Sequence, residues 1–564
     1  MSDRSASEID QRLQALIAAG EPAAARQLLR EWLAAHPADY ARRCLLAYLC
    51  QSAGDLPEAE RCYEAAAAIA PPSHELFHNL GVVKRKLGDP LAAKSCFQRA
   101  LDISPDALTT LDELAGLLIE EHDVPGAIGC YERMLAKDRR HVRAYVGMGG
   151  AFADAGWDED AVRSFETALA IDAGCLEALN GLGIVCKRLG RYDEAMGLFE
   201  RALAISPADP ALLRNRAMLL GVLGRHQEAE HCYRQVLATN PDDADAHFSL
   251  GCALLLTGRL PEGWREYEYR WCSNERDAAV KRPATTLPRW SGESVSRETS
   301  GLIIYTEQGF GDAIQFARYV PLVAERFGKV MLHTRRPLVA LFQRSFGRYA
   351  EVFSEITDER GYTHHCPLLS LPLAFMTALD TIPAELPYLE ADAGKRAYWR
   401  ERLASLPDEP GLRVGIAWAT GKRGLHKRSF ELPPLLLEPL LKMPGVAWIS
   451  LNKEPLDPEL AAAMRQQGLI DWSGELADFD DTAALMSNLD LVVSVDTAVA
   501  HLAGALNRPV WLLNRFESEW RWLLERSDSP WYPSMRIFRQ RRSRDWDFPL
   551  KEVGAALAGR LETR

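Results

Sequence analysis

An array of paired α-helices followed by an α/β region with parallel sheets is the architecture that this 564-residue sequence predicts. Three observations lead there. Small, aromatic and proline residues recur in one 34-residue register through the first half. From Gly301 onward, short β-branched and apolar runs alternate with helical patterns. Between the two lies a stretch at 273–300, rich in Pro, Ser and charge, that fits neither pattern and reads as a linker.

The register is carried by four series. Prolines stand at Pro37, Pro71, Pro105, Pro207 and Pro241, with Arg139 and Ala173 at the two missing marks. Alanines stand at Ala25, Ala59, Ala93, Ala127, Ala161, Ala195 and Ala229. Four residues after each comes Leu29, Tyr63, Phe97, Tyr131, Phe165, Phe199 or Tyr233, and one step further Tyr267. Small residues complete the pattern at Ala47, Gly81, Ala115, Gly149, Gly183, Ala217 and Gly251. Such spacing lets a small residue on one helix admit an aromatic ring from the next, while proline ends the second helix of each pair. The pattern resembles the tetratricopeptide repeat over roughly residues 6–272, about seven and a half units within a domain of 1–272. The last unit diverges into LPEGWREYEYRW, an aromatic end expected to dock onto the second half of the chain. Such arrays offer a surface for protein partners, although the alanine and aromatic marks themselves belong to the core.

In the second half, strands are expected at Gly301–Tyr305, Lys329–Leu332, Arg413–Ala419, Gly445–Leu451, Leu469–Trp472, Leu489–Val495 and Pro509–Leu513, and a helix at Gly311–Ala324. The segment at 378–411 separates two groups of strands, which suggests two parallel-sheet domains with a cleft between them. The final segment, Leu550–Leu561, is expected to be helical and to cross back onto the first of them.

Composition narrows the classes. Hydrophobic residues at 47% and charged residues at 26% are ordinary for globular proteins, and a net charge of −12 disfavours a general nucleic-acid binder. The start shows no basic segment followed by an apolar core, and no apolar run approaches about 20 residues, so a cytoplasmic location is expected. Cys44, Cys50, Cys62, Cys96, Cys130 and Cys186 lie within helical patterns without a C-x-x-C pair and read as small core residues.

The chemistry should sit where strands end. LVVSV (Leu491–Val495) stops at Asp496-Thr497, and a helical pattern bearing His501 begins at once. A helix N-terminus left open there would present unpaired N–H groups and partial positive charge to a phosphate. After the first strand, T-E-Q-G-F-G-D places Gly309 and Gly311 in a tight loop and Asp312 at a helix start. A dinucleotide fingerprint is ruled out by Ile314 where a third glycine belongs, and by the absence of an acidic residue after Leu332-His333-Thr334. The loop TGKRGLHKRS (Thr420–Ser429) gathers Lys422, Arg423, His426, Lys427 and Arg428. Asn452-Lys453 ends another strand, where a nucleotide's base and ribose rest in doubly wound domains. Asp478, Asp480 and Asp481 imitate a D-x-D metal motif but precede a helix and read as a capping cluster. Glu519-Trp520-Arg521-Trp522 and Ser529-Pro530-Trp531-Tyr532 read as cleft-mouth or domain-packing residues.

The Gly311-Asp312 loop, the VGIAWA strand with its basic loop, and DTAVAHLAGALNRP near the end together resemble the heptosyltransferase-like glycosyltransferases of family 9. Coupled to tetratricopeptide repeats, the layout also resembles the protein O-GlcNAc transferases. The resemblance implies a GT-B fold of two Rossmann-like domains, 301–405 on the acceptor side and 406–564 on the nucleotide-sugar side. It also implies metal-independent, inverting transfer of a sugar from a nucleotide-diphosphate donor to a protein or glycan hydroxyl, with no cofactor. Carried over residue by residue, Asp312 would be the general base. Lys427, Arg428, Asp496, Thr497, Ala498 and His501 would surround the diphosphate, and Ala498 replaces the usual glycine. Gly309, Gly311, Asn452 and Lys453 are further donor-side candidates. The repeats would recruit the acceptor or protein partners, with no nucleic acid and no membrane span. The rival is a repeat-based adaptor whose glycosyltransferase-like half has lost catalysis.

Overall fold

Strand order fixes where a ligand can approach, and both sheets of this chain share one plan. The computed structural model describes residues 6–69, 73–273, 285–356, 358–406, 411–419, 432–453 and 457–563. Pro71 and the basic loop, with Lys427 and Arg428, lie outside the described residues. The chain divides into two units, Met1–Pro207 and Ala208–Arg564.

Among the described residues the first unit holds twelve helices, from Ala6–Ala18 to Tyr192–Ile205, packed in consecutive pairs. Its pairing rule is the one the register implies. A Cβ on Gly81 would lie 2.6 Å from the Phe97 ring, and one on Gly149 or Gly183 would meet Phe165 or Phe199 at 2.7 and 2.6 Å. Three of the second helices begin with an aspartate cap and an early proline: Asp55, Asp89 and Asp123 accept from the amides of Glu58, Ala92 and Gly126. Cys50, Cys62, Cys96, Cys130 and Cys186 are buried, as their place in the pattern predicts, whereas Cys44 is half-buried at the edge of the first repeat core.

The second unit opens with four more repeat helices, Pro210–Val222, His226–Thr239, Ala244–Leu256 and Leu260–Tyr267, ended by a 3-10 turn at Glu268–Trp271. Two parallel sheets come next. The first comprises β1 (Gly301–Tyr305), β2 (Lys329–His333), β3 (Glu351–Phe353) and β4 (His364–Pro367) in the order β3-β2-β1-β4. The second comprises β5 (Leu412–Ala417), β6 (Val446–Ser450), β7 (Leu469–Ile470), β8 (Leu491–Val495), β9 (Val510–Asn514) and β10 (Met535–Arg539) in the order β10-β9-β8-β5-β6-β7. Each sheet is laid down outward from its first strand to one side and then to the other, so the topological switch points fall between β1 and β4 and between β5 and β8. This is the Rossmann-like pair expected of a GT-B fold. Three strands were not foreseen: β3 has three residues, β4 is the polar run HHCP, and β10 is MRIFR. The helix expected at Gly311–Ala324 is broken into Phe310–Phe316, a 3-10 turn at Ala317–Tyr319 and Val320–Arg326, with Pro321 at the start of the last.

The two sheets share one buried core. Leu302 and Ile304 of β1, Val492 of β8, Leu512 of β9 and Trp264 and Tyr267 of the last repeat belong to one buried cluster. Val493 and Leu513 point to the opposite face of the second sheet, where Leu550, Val553 and Leu557 cover them. The helix Asp547–Glu562 therefore packs on the second sheet rather than crossing to the first. The aromatic end of the array docks as anticipated: Trp264 donates to the Thr377 carbonyl at 3.1 Å and meets Trp520 edge-on at 5.3 Å. Beneath it, Arg270 donates to Glu307 at 3.0 Å and to Glu268 at 2.6 Å, and both Arg270 and Glu307 are buried.

Candidate functional site

The site is built where β1 and β8 end. Five fully buried residues make β8, and the chain turns at Asp496-Thr497 into the helix Ala498–Ala505. Thr497 stands extended at the N-cap, and its hydroxyl accepts from the Val499 amide at 3.2 Å. The helix end expected to stand open is thus capped by its own threonine, which leaves the turn itself at the β5–β8 switch point. Ser494 braces that hydroxyl at 3.1 Å.

Opposite stands the loop after β1. Gly309 is extended at the N-cap of Phe310–Phe316, and the Asp312 carboxylate accepts from the Gly309 amide at 2.9 Å. The two helix starts abut. A Cβ on Gly311 would lie 2.8 Å from His501 Cδ2 and 3.6 Å from Ala498 Cα, so glycine is required by close approach here. Phe310 packs on Phe479 at 5.0 Å, and Arg344 and Lys395 pair with Asp480, further joining the two sheets. Asp478 accepts from the amides of Asp480 and Asp481, the capping cluster expected of those aspartates.

Sequence reasoning gave Arg521 no task, yet it organises this junction. It donates to Asp312, to Gln315 at 3.0 Å and to Glu519 at 2.9 Å, and lies over the Trp520 ring at 4.2 Å. An arginine between two tryptophans just after a strand was the available signal. The segment that carries it is braced by Arg539, which donates to Ser518 at 3.1 Å, to the Arg526 carbonyl at 3.1 Å and to the Trp522 carbonyl.

His501 is buried, stacked on Trp522 at 5.1 Å, with Nδ1 3.0 Å from the Tyr532 hydroxyl. Burial, with Arg521 and Arg318 nearby, holds its pKa well below the usual histidine value, so the ring is neutral. Its Nε2 lies 4.0 Å from Asp496 Oδ1. Burial first, and then the like charge of Glu519, push the Asp496 carboxyl up to about 6, while Arg521, the Trp522 indole N–H and Arg515 act in the opposite direction.

The structure brings Gly309, Gly311, Asp312, Asp496, Thr497, Ala498 and His501 together. Asn452 and Lys453 serve other contacts: Asn452 accepts from the Ala419 amide at 3.2 Å, and Lys453 donates to the carbonyls of Leu476 and Ala477. Ala419 leads directly into the basic loop. Among the described residues no group of three or more His, Cys, Asp or Glu is arranged to hold a metal ion, and no helix is long and apolar enough to cross a membrane.

Comparisons with known proteins agree with this layout. Tetratricopeptide-repeat models match residues 40–106, 159–210 and 214–279, and the glycosyltransferase family 9 (heptosyltransferase) model matches residues 460–545. The family 9 match includes Asp496, Thr497, Ala498, His501 and Arg521 but stops short of Asp312 and the basic loop. Protein FlbA of Caulobacter vibrioides is 30% identical over 333 residues, which are 55% of this chain and 54% of that protein. This chain thus matches about half the length of that relative. Among solved structures, a tetratricopeptide-repeat protein from Parabacteroides merdae is 23% identical over 42% of this chain and 94% of its own, with a TM-score of 0.38. A thermophilic repeat protein from Thermus thermophilus is 26% identical over 32% of this chain and 100% of its own, with a TM-score of 0.30. The chain carries tetratricopeptide repeats followed by a C-terminal glycosyltransferase family 9 domain.

Proposed function

We propose that the chain moves a sugar from a nucleotide-diphosphate donor to a hydroxyl of a protein or glycan acceptor, by an inverting route that needs no metal. The observation that carries this reading is the strand-turn-helix at Asp496, Thr497 and Ala498, standing at the β5–β8 switch point and facing the Gly309–Asp312 loop. A departing diphosphate needs N–H groups and cations. In this reading the turn supplies the former, and the basic loop with Lys427 and Arg428, which follows β5 in the sequence, supplies the latter. In this reading Asp312 supplies the carboxylate that takes the acceptor's proton. The repeats recruit the acceptor or a partner protein.

The experiment is a thermal-shift panel of nucleotide sugars on the full chain, followed by mass spectrometry of proteins modified in cells. A shift with one donor and a matching mass gain support transfer. No shift with any donor supports the adaptor reading, which the self-capped Thr497 and the Arg521-bound Asp312 favour.

A further inference from the structure

Four buried rings meet where the repeats end. Trp264 stands in the helix Leu260–Tyr267, and its indole N–H is fixed by the Thr377 carbonyl at 3.1 Å. Its ring meets Trp520 edge-on at 5.3 Å and Phe316 edge-on at 6.2 Å. Tyr267 meets Trp520 at 5.8 Å, and its hydroxyl accepts from the Gln308 side-chain amide at 3.3 Å. All four rings are buried, so none can turn without moving another. The Trp520 ring in turn lies beneath the Arg521 guanidinium at 4.2 Å, and Arg521 donates to Asp312. We propose that the last repeat sets the geometry of the site: Trp264 and Tyr267 are positioning residues that act through Trp520 and Arg521 to aim the Asp312 carboxylate at the acceptor hydroxyl. This rests on the glycosyl-transfer reading above and gives the last repeat a task besides recruitment.

A general base must be held as well as present, since a misplacement of about 1 Å can cost about 10²-fold in rate. Asp312 is held on both oxygens, Oδ2 by the Gly309 amide at 2.9 Å and Oδ1 by Arg521. An ionised carboxylate has about four acceptor positions, so these bonds fix its plane and still leave room for an acceptor hydroxyl. The Gly309 amide belongs to the same helix start as Asp312, whereas Arg521 comes from the segment after β9 and must itself be held. Gln315 at 3.0 Å and Glu519 at 2.9 Å anchor its N–H groups, and Trp520 supports its face. Of these supports, the ring is the one the repeats reach. The helix Ala244–Leu256 packs along the Trp520–Trp522 turn, and Trp264 and Tyr267 wall Trp520 itself. Phe316, at the end of the helix that begins beside Asp312, closes the box against Trp264 and Trp520. Edge-to-face contacts give these rings a preferred orientation, so shape as well as burial decides where Trp520 lies.

The test uses the full chain, the donor found by the panel and the acceptor found by mass spectrometry. The variants are Trp264→Phe, Trp264→Leu, Trp520→Leu, Arg521→Gln and the double Trp264→Leu with Arg521→Gln, with circular dichroism and the donor thermal shift reporting folding. Trp264→Leu should lower kcat by about 10- to 100-fold, while donor Kd and acceptor KM stay within about threefold. Trp264→Phe, which keeps an aromatic edge against Trp520, should recover most of the rate. Trp520→Leu should reproduce the loss from the other side of the contact, which keeps the test open if Trp264→Leu does not fold. Because Trp264 acts through Arg521, the double variant should be no slower than Arg521→Gln alone. A ring that only stabilised the fold would lower Tm with kcat intact, and one that only recruited the acceptor would raise KM alone. Either of those results, or the same loss from Trp264→Leu with and without Arg521, overturns the assignment and leaves the transfer reading intact. A wild type with neither donor shift nor transfer removes the reading and this assignment together.

Discussion

Gly311 and His501 approach so closely that a single added carbon on the glycine would sit 2.8 Å from the imidazole Cδ2. The ring cannot retreat, because Trp522 stacks on it and Tyr532 holds Nδ1. The start of the Phe310–Phe316 helix and the start of the Ala498–Ala505 helix are therefore held as one surface. Changing Gly311 to alanine should cost about 1–3 kcal/mol by overpacking. Chemical denaturation followed by tryptophan fluorescence would measure it, and an unchanged midpoint would mean that the ring has room to move.

Asp496 makes a prediction of opposite sign. Its carboxyl is raised from an ordinary 3.8 to about 6. The native state therefore binds the proton more tightly than the unfolded chain between those values. Stability falls as pH rises through that window, and above pH 6 the ionised group costs up to about 3 kcal/mol. Asp496→Asn should accordingly unfold at higher denaturant than the wild type at pH 7.5, with the advantage shrinking toward pH 4. A residue that weakens the fold while it is charged is the kind kept for function rather than for stability.

Much of this was legible in the amino-acid order. The repeat writes one packing rule many times, so Gly81 with Phe97 and Gly183 with Phe199 announce themselves by recurrence. β1, β5 and β8 are nearly all apolar because parallel strands are covered on both faces. β4 escaped notice because His364 and His365 break its apolar run, although it pairs directly with the buried β1. The turn at Asp496 could be placed from local pattern alone. The pairing of Asp312 with Arg521 could not, since the two are 209 positions apart and nothing local records the contact.

The same packing rule separates two glycines of the first unit. Gly183 faces Phe199, and its replacement by alanine should destabilise by about 1–3 kcal/mol. Gly197, within the Tyr192–Ile205 helix, has nothing within 4 Å of the place a Cβ would take. There alanine should stabilise by up to about 1 kcal/mol, since it gains helix propensity without a clash. Thermal melts of the two variants, followed by circular dichroism, should move in opposite directions.

Arg270 ties the last repeat to the first sheet through a buried charge. It reaches Glu307 at 3.0 Å, Glu268 at 2.6 Å and the Ser370 hydroxyl at 2.7 Å. Glu307 also accepts from the amides of Leu368 and Leu369, and its burial outweighs these partners to push its carboxyl up to about 7. Arg270→Met removes the cation and strands Glu307 away from water, which should cost about 3–5 kcal/mol. Adding Glu307→Gln should recover part of that loss, because the amide oxygen still accepts from the backbone and no charge is left unpaired at that position. Denaturant midpoints for the two single variants and the double would give the coupling. If the losses simply add, the pair is no more than a spectator of the aromatic docking around Trp264, whereas recovery in the double identifies it as the contact that sets the repeat against β1.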